Sequence, residues 1–396
     1  MSKPLTGIRV LELGQLIAGP FAAKMLGEFG AEVIKVEPPL KGDPLRKWRL
    51  IHDGTSVWWQ AQSRNKKSIT LDLRQPEAQD VIRKLVKDVD VVIENFKPGS
   101  LEGWGLGWDE LSAINPRLVM LRVSGYGQTG PYRDLPGFGA IGEAMGGLRH
   151  LSGEPGRTPV RVGVSIGDSL SALHGVIGVL LALRARDQGN GQGQMIDVAL
   201  YESVFNMMES LLPEYSVFNE VRQAAGSSLP GIAPSNAYRC KDNKYVLIAG
   251  NGDSIFKRLM MVIGRDDLGN DPALENNVGR VKQVDMIDEA ISQWTGRNLL
   301  DDVLAALNEH HIPAGKIYDV ADIAADPHYR ARDMILDSAL PDGTPIKLPG
   351  IVPKLSATPG DVRSAAPTLG QHTDEILAGM GIDEATLGDW RRRGII

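Results

Sequence analysis

One cysteine, Cys240, stands in 396 residues, so no disulfide can form within the chain. Histidine is scarce, and neither a Cys/His cluster nor a His-x-x-x-His spacing offers a metal site of the zinc type. Long apolar runs are missing: the most hydrophobic, Val176 to Leu183, falls well short of the ~20 residues that span a bilayer. The opening "MSKPLTGIRV" has no signal-peptide core, and the expectation is a cytoplasmic protein without a membrane partner. An excess of positive charge is also missing. A net charge of −6 argues against nucleic acid as partner, while leaving room for a local basic pocket that takes a small anion. The dinucleotide fingerprint is absent as well: "LGQLIAGP" carries Gly14 and Gly19 but no G-x-G-x-x-G, and its Pro20 fits the first position of a helix, which disfavours a nicotinamide-dependent oxidoreductase.

What is present reads as an α/β protein of two or three domains, with no repeat or low-complexity tract. "GIRVLELG" reads as a buried strand, "PFAAKMLGEFG" as a helix closed by Gly30, and "AEVIKVEPP" as a second strand stopped by prolines. The alternation repeats in "KSITLDL", "PEAQDVIRKLVKDV" and "DVVIENF", a further strand follows in "RLVMLRVSGYG", and together they imply a mostly parallel sheet covered by helices. Texture changes near residue 222, at the small, polar "RQAAGSSLPGIAPSN". The expected organisation is a large domain over 1–221, a smaller α+β domain over 222–320, and a segment 321–396 that returns to the first.

Four stretches offer chemistry. In "VRVGVSIGDSLSALHGVIGVLLALRA" a single acid, Asp168, precedes a long apolar helical pattern; it is either an N-cap, satisfying the first amides of the helix, or a nucleophile. The clusters Arg64, Lys66, Lys67 and Lys41, Arg46, Lys47, Arg49 lie at sheet-end loops, where α/β proteins bind ligands; each is either solvated charge or part of a polyphosphate site. "AGNGDS", residues 249–254, is a strand-to-helix turn whose amides, at Gly250 and Gly252, could line a site.

Taken together and in order, "AGPFAAKMLGEFGAEVIKVEPPLKGDPLR", "SRNKKSITLDL", "ENFKPGSLEGWGL", "NPRLVMLRVSGYGQTGP", "GVSIGDSLSALHGVIGVLLAL" and "LGQHTDEIL" resemble the class III CoA-transferases, from residue 5 to about residue 380. The resemblance implies a Rossmann-like large domain built from both chain ends, a small middle domain, and two chains threaded through one another as an interlinked homodimer. It implies coenzyme A as co-substrate rather than a permanently bound cofactor, with acyl-CoA and small carboxylates as partners. The nucleophile of the family falls on Asp168, and its CoA contacts fall on Gln15, Leu16, Ala18, Lys66, Asn95 and Phe96, with Arg46 in the segment after the second strand. Formyl-CoA transferase has a glutamine where Ile17 stands and an acid where Gly139 stands, so a formyl or oxalate specificity is not expected.

The chemistry implied is attack by the Asp168 carboxylate on an acyl-CoA thioester, a mixed anhydride, and then an aspartyl-CoA thioester open to an incoming carboxylate. Each step develops an oxyanion, for which Gly250 and Gly252 are candidate donors; a helix start beside Asp168 is expected to keep it ionised. Succinyl-CoA as donor and a C4–C6 dicarboxylate as acceptor are the favoured pair. Two alternatives stand beside this: an α-methylacyl-CoA racemase-like enzyme, whose Gly-His-Asp histidine has no counterpart in "LPGFGAIGEAMGG", and a noncatalytic CoA-binding protein.

Overall fold

In the computed structural model, which describes residues 2–396, six strands build one sheet: β1 (Arg9–Glu12), β2 (Glu32–Glu37), β3 (Lys66–Thr70), β4 (Val91–Glu94), β5 (Val119–Ser124) and β6 (Met195–Ala199). Every pairing is parallel, in the order β3-β2-β1-β4-β5-β6. This is the doubly wound order whose direction reverses between β1 and β4, leaving a crevice beyond the carboxyl ends of those two strands.

The two-residue period of a strand divides the core in two. Val10, Val33, Ile93 and Leu121 face one side, against Ala22, Ala23 and Leu26 of helix α1 (Ala18–Glu28). Leu11, Ile34, Val92 and Met120 face the other, against Val81, Ile82 and Leu85 of helix α2 (Pro76–Val86). Both faces are covered, which is why these strands read as near-continuous apolar runs. Pro20 sits third in α1 rather than first; it is still inside the first turn, where the amide it lacks would have no helical partner.

Three further helices shape the site: α3 (Gly139–Met145), α4 (Ile166–Gln188) and α5 (Leu200–Phe205). Helix α4 corrects the expectation drawn from Val176–Leu183, because its 23 residues are long and apolar enough to cross a membrane by length and composition. Ala172, Val176, Val179 and Leu183 instead join the core beneath the sheet, while Leu173, Ile177, Leu180 and Leu181 remain exposed.

The chain divides into two compact units, 1–149 with 161–220 and 330–396, and 150–160 with 221–329. In the first, the C-terminal residues Leu377, Leu387 and Ile395 complete the core over α2, and the Thr70 amide donates to Thr373 Oγ1 at 3.0 Å. In the second, β7 (Ser235–Arg239), β8 (Tyr245–Ala249) and β9 (Ala314–Lys316) form an antiparallel sheet over a core that includes Phe256, Leu259, Ile287 and Val303.

Candidate active site

The crevice beyond β1 and β4 opens into a cavity of about 600 Å³, within the size range of small-molecule sites. Its walls come from the carboxyl ends of three strands, Gln15–Ala18 after β1, Asn95–Pro98 after β4 and Val123–Gly125 at β5, together with the start of α3 and of α4. Asp168 is the one carboxylate on this wall, beside three cations, Arg49, Lys97 and Arg161.

Two buried carboxylates hold the loops in place. Asp43 accepts the Leu16 amide at 3.0 Å and the Leu45 amide at 2.8 Å; Leu16 has φ +63, a left-handed conformation that is costly for a branched side chain and persists because its surroundings over-determine it. Glu94 accepts the Phe96 amide at 2.7 Å and pairs with Arg122 at 2.7 Å; burial nevertheless pushes its carboxyl up to about 7. Asn95 joins the two loops, accepting from the Gln15 amide at 2.7 Å and donating to the Gln15 carbonyl at 2.9 Å. The start of α1, whose first turn holds no acid and no side-chain cap, lies on the same wall, and such an end suits an anionic group.

Asp168 is the third residue of α4, not its N-cap. Ser165 holds that position and makes no side-chain cap bond; its hydroxyl accepts from Arg161 at 3.3 Å. The Asp168 carboxyl is pushed up to about 6, first by burial and then by the Glu143 carboxylate, with Arg161 pulling the other way. Its own amide at the helix start lowers the pKa but is outweighed by burial, and at neutral pH the group is still mostly ionised. Gly139 explains how the carboxylate fits: a Cβ there would lie 2.1 Å from Asp168 Oδ2, so the missing side chain is the room that Asp168 occupies.

Of the residues singled out in the sequence, Gln15, Leu16, Ala18, Asn95, Phe96 and Asp168 line this one cavity. Lys66 and Arg46 do not. Lys66 is fully buried, with its ammonium 2.8 Å from Glu12 and 2.8 Å from the Pro20 carbonyl, and burial lowers its pKa to about 8. Arg46 grips Glu37 with two bonds, 2.7 and 2.8 Å, and stacks over Trp59. Both ends of each side chain are thus committed inside the protein. Gly250 and Gly252 lie in the second unit, between β8 and the helix Asp253–Val262. The Gly250 amide already donates to the Pro234 carbonyl at 2.9 Å, which removes it as a free donor; among the described residues no backbone acceptor takes the amides of Asn251 and Gly252. Sequence reasoning missed Glu143, buried on α3 one turn after Gly139; the only sign of it is an acid at helical spacing in the otherwise small and apolar "GAIGEAMGG".

Residues 5–373 match the family described as CoA-transferase family III. The chain belongs to CoA-transferase family III. Among curated relatives of this CoA-transferase, a succinyl-CoA–D-citramalate CoA-transferase from Chloroflexus aurantiacus is 48% identical, over 100% of this chain and 98% of the relative. The beta subunit of a succinyl-CoA–L-malate CoA-transferase from the same organism is 44% identical, over 99% of this chain and 98% of the relative. Among solved structures, a CAIB/BAIF family protein from Brucella suis superposes with a TM-score of 0.85 at 35% identity, covering 96% of this chain and 100% of that one. The chain is thus an enzyme that uses CoA thioesters, which sets aside the noncatalytic alternative.

Proposed function

We propose that this enzyme moves CoA from succinyl-CoA to a C4–C6 dicarboxylate, with Asp168 as covalent nucleophile. The observation that carries the reading is the position of Asp168, the one carboxylate on the wall of a cavity at the switch point of the sheet. A carboxylate oxygen of Asp168 bonds to the thioester carbonyl carbon, the carbon–sulfur bond breaks, and CoA leaves as thiolate from a mixed anhydride. The thiolate then adds to the Asp168 carbonyl carbon and succinate departs with the negative charge. An incoming dicarboxylate reverses the two steps. No proton is transferred, so the site needs no general base, only donors for the oxyanions. The relatives named for citramalate and malate support a dicarboxylate acceptor. Arg161, beside Asp168, is the cation we assign to the distal carboxylate. Arg49 and Lys97 we assign to the CoA side of the cavity, together with Gln15, Leu16, Ala18, Asn95 and Phe96. The cavity wall holds no histidine, so nothing favours the racemase alternative. The assembly we infer is the interlinked homodimer.

The test is turnover of succinyl-CoA with a panel of mono- and dicarboxylates, read by mass spectrometry of the CoA esters, for wild type and Asp168→Asn. Dicarboxylates of four to six carbons should be preferred and the variant silent. Equal turnover of monocarboxylates refutes the substrate class, and an active Asp168→Asn, checked for deamidation, refutes the nucleophile.

A further inference from the structure

Glu143 is the most conspicuous polar group that the reaction above leaves unused. It is 1% exposed, its Oε1 has no hydrogen-bond partner among the described residues, and its Oε2 lies 3.8 Å from the Arg149 Nε. A buried carboxylate with one oxygen unpartnered is costly, and such a cost persists at functional sites. Its placement ties it to Asp168 twice over. It lies four residues after Gly139, hence on the same face of α3, and Gly139 is the position whose Cβ would strike the Asp168 carboxylate. Its Cγ also lies 3.5 Å from where a Cβ on Gly167, the neighbour of Asp168, would be.

We propose that Glu143 is a positioning residue for acyl transfer, whose buried negative charge favours the covalent, charge-neutral states of Asp168 over its free carboxylate. The inference rests on the assignment of Asp168 as nucleophile. In the free enzyme two carboxylates share a poorly solvated region. When Asp168 attacks the thioester carbon, the new carbon–oxygen bond consumes its charge, and the charge leaves on the CoA thiolate. When the thiolate attacks the anhydride at the Asp168 carbonyl, the charge leaves on succinate and Asp168 becomes a neutral thioester. Both steps carry charge away from Glu143, so the repulsion present at the start is relieved in the products. The same repulsion keeps the Asp168 oxygen more basic, and a more basic carboxylate is the better nucleophile.

The charged and titratable groups around the pair are few. Arg149 approaches Glu143, Arg161 approaches Asp168, and Arg49 and Lys97 stand on the cavity wall. Tyr201 and Glu202, on α5 against α3, are bonded to each other at 3.0 Å, and His174 lies further along α4. The experiment uses the full-length enzyme and Glu143→Gln, which keeps shape and removes charge, beside Arg149→Gln, which leaves the Glu143 charge less compensated. In Glu143→Gln the acidic limb of kcat/KM should move down by about one pH unit, and the fraction of subunits carrying an Asp168-bound CoA after incubation with succinyl-CoA alone should fall about tenfold. KM for succinyl-CoA should stay near wild type while kcat falls. In Arg149→Gln the limb should move up instead, and this second variant decides the matter if Glu143→Gln does not fold. A merely structural role lowers the melting temperature of both variants and moves neither limb, and that result overturns the inference while leaving the Asp168 reading intact. No Asp168-bound CoA on wild type, or an active Asp168→Asn, overturns the underlying reading instead.

Discussion

Asp168 has a carboxyl raised from 3.8 to about 6, so the charged form needed for attack is disfavoured by the fold, and two consequences can be measured. Activity should fall through a limb near pH 6, reaching about a tenth of its plateau at pH 5, in a kcat/KM profile taken where the enzyme stays folded. Stability follows the opposite sign from an ordinary paired aspartate. The folded state holds the proton more tightly than the unfolded chain, so stability drops as pH rises from about 4 to about 6 and is level above. Asp168→Asn should therefore melt at or above wild type at pH 7.5, by on the order of 1 kcal/mol after allowance for partial exposure, with the gain gone at pH 4. A cap would have lost stability on replacement by alanine; the N3 position and the absence of a side-chain cap bond at Ser165 remove that reading. Gly139→Ala tests the room beside the carboxylate. The obstructed atom is the end of a side chain, so the fold should survive and the Asp168 carboxylate should turn away. A loss of about 10²-fold in kcat, at an unchanged melting temperature, is expected from a displacement on the ångström scale.

The elements around the site were legible in the sequence where period and punctuation speak, in the alternating strands and helices from "GIRVLELG" to "RLVMLRVSGYG". What was not legible is which cations the elements bury. Lys66 and Arg46 read as ligand groups by resemblance and from their basic clusters at sheet ends, but Lys66 meets Glu12, far away in sequence, only once the strands are paired, and Arg46 turns back onto Glu37, 9 residues earlier at the end of β2. Lys35 completes this network, 2.7 Å from Glu12 and 2.8 Å from Asp43, so the group that fixes Leu16 at the cavity is braced from beneath the sheet. Lys66→Met distinguishes brace from ligand. It leaves one Glu12 oxygen buried without its cation and should cost about 3–5 kcal/mol in urea unfolding, with KM for the CoA ester unchanged in the surviving enzyme. A raised KM with normal stability would restore the ligand reading.

At the scale of the whole molecule, one chain leaves a large apolar surface uncovered. Along α4, Leu173, Ile177, Leu180 and Leu181 repeat at helical spacing on the side away from the sheet, with Leu181 65% exposed, and Leu212, Val217 and Phe218 are exposed beyond α5. Exposed apolar residues grouped in this way favour an interface. A helix that meets the length and composition of a membrane span has one face in the core and the other exposed, and an interlinked dimer would account for that second face. The sequence shows the apolar residues but not which face of α4 the sheet takes, so the stripe becomes visible only once the sheet is assembled. If two chains are interlinked, they cannot separate while folded, and two measurements should agree. Sedimentation at nanomolar concentration should show a dimer with no monomer boundary, and the urea midpoint should rise with protein concentration, because unfolding and dissociation are then one event. Leu181→Glu, placing a charge on the stripe, should lower that midpoint without generating a folded monomer; a stable, active monomer from this variant would show that the chains merely touch along α4 and are not linked.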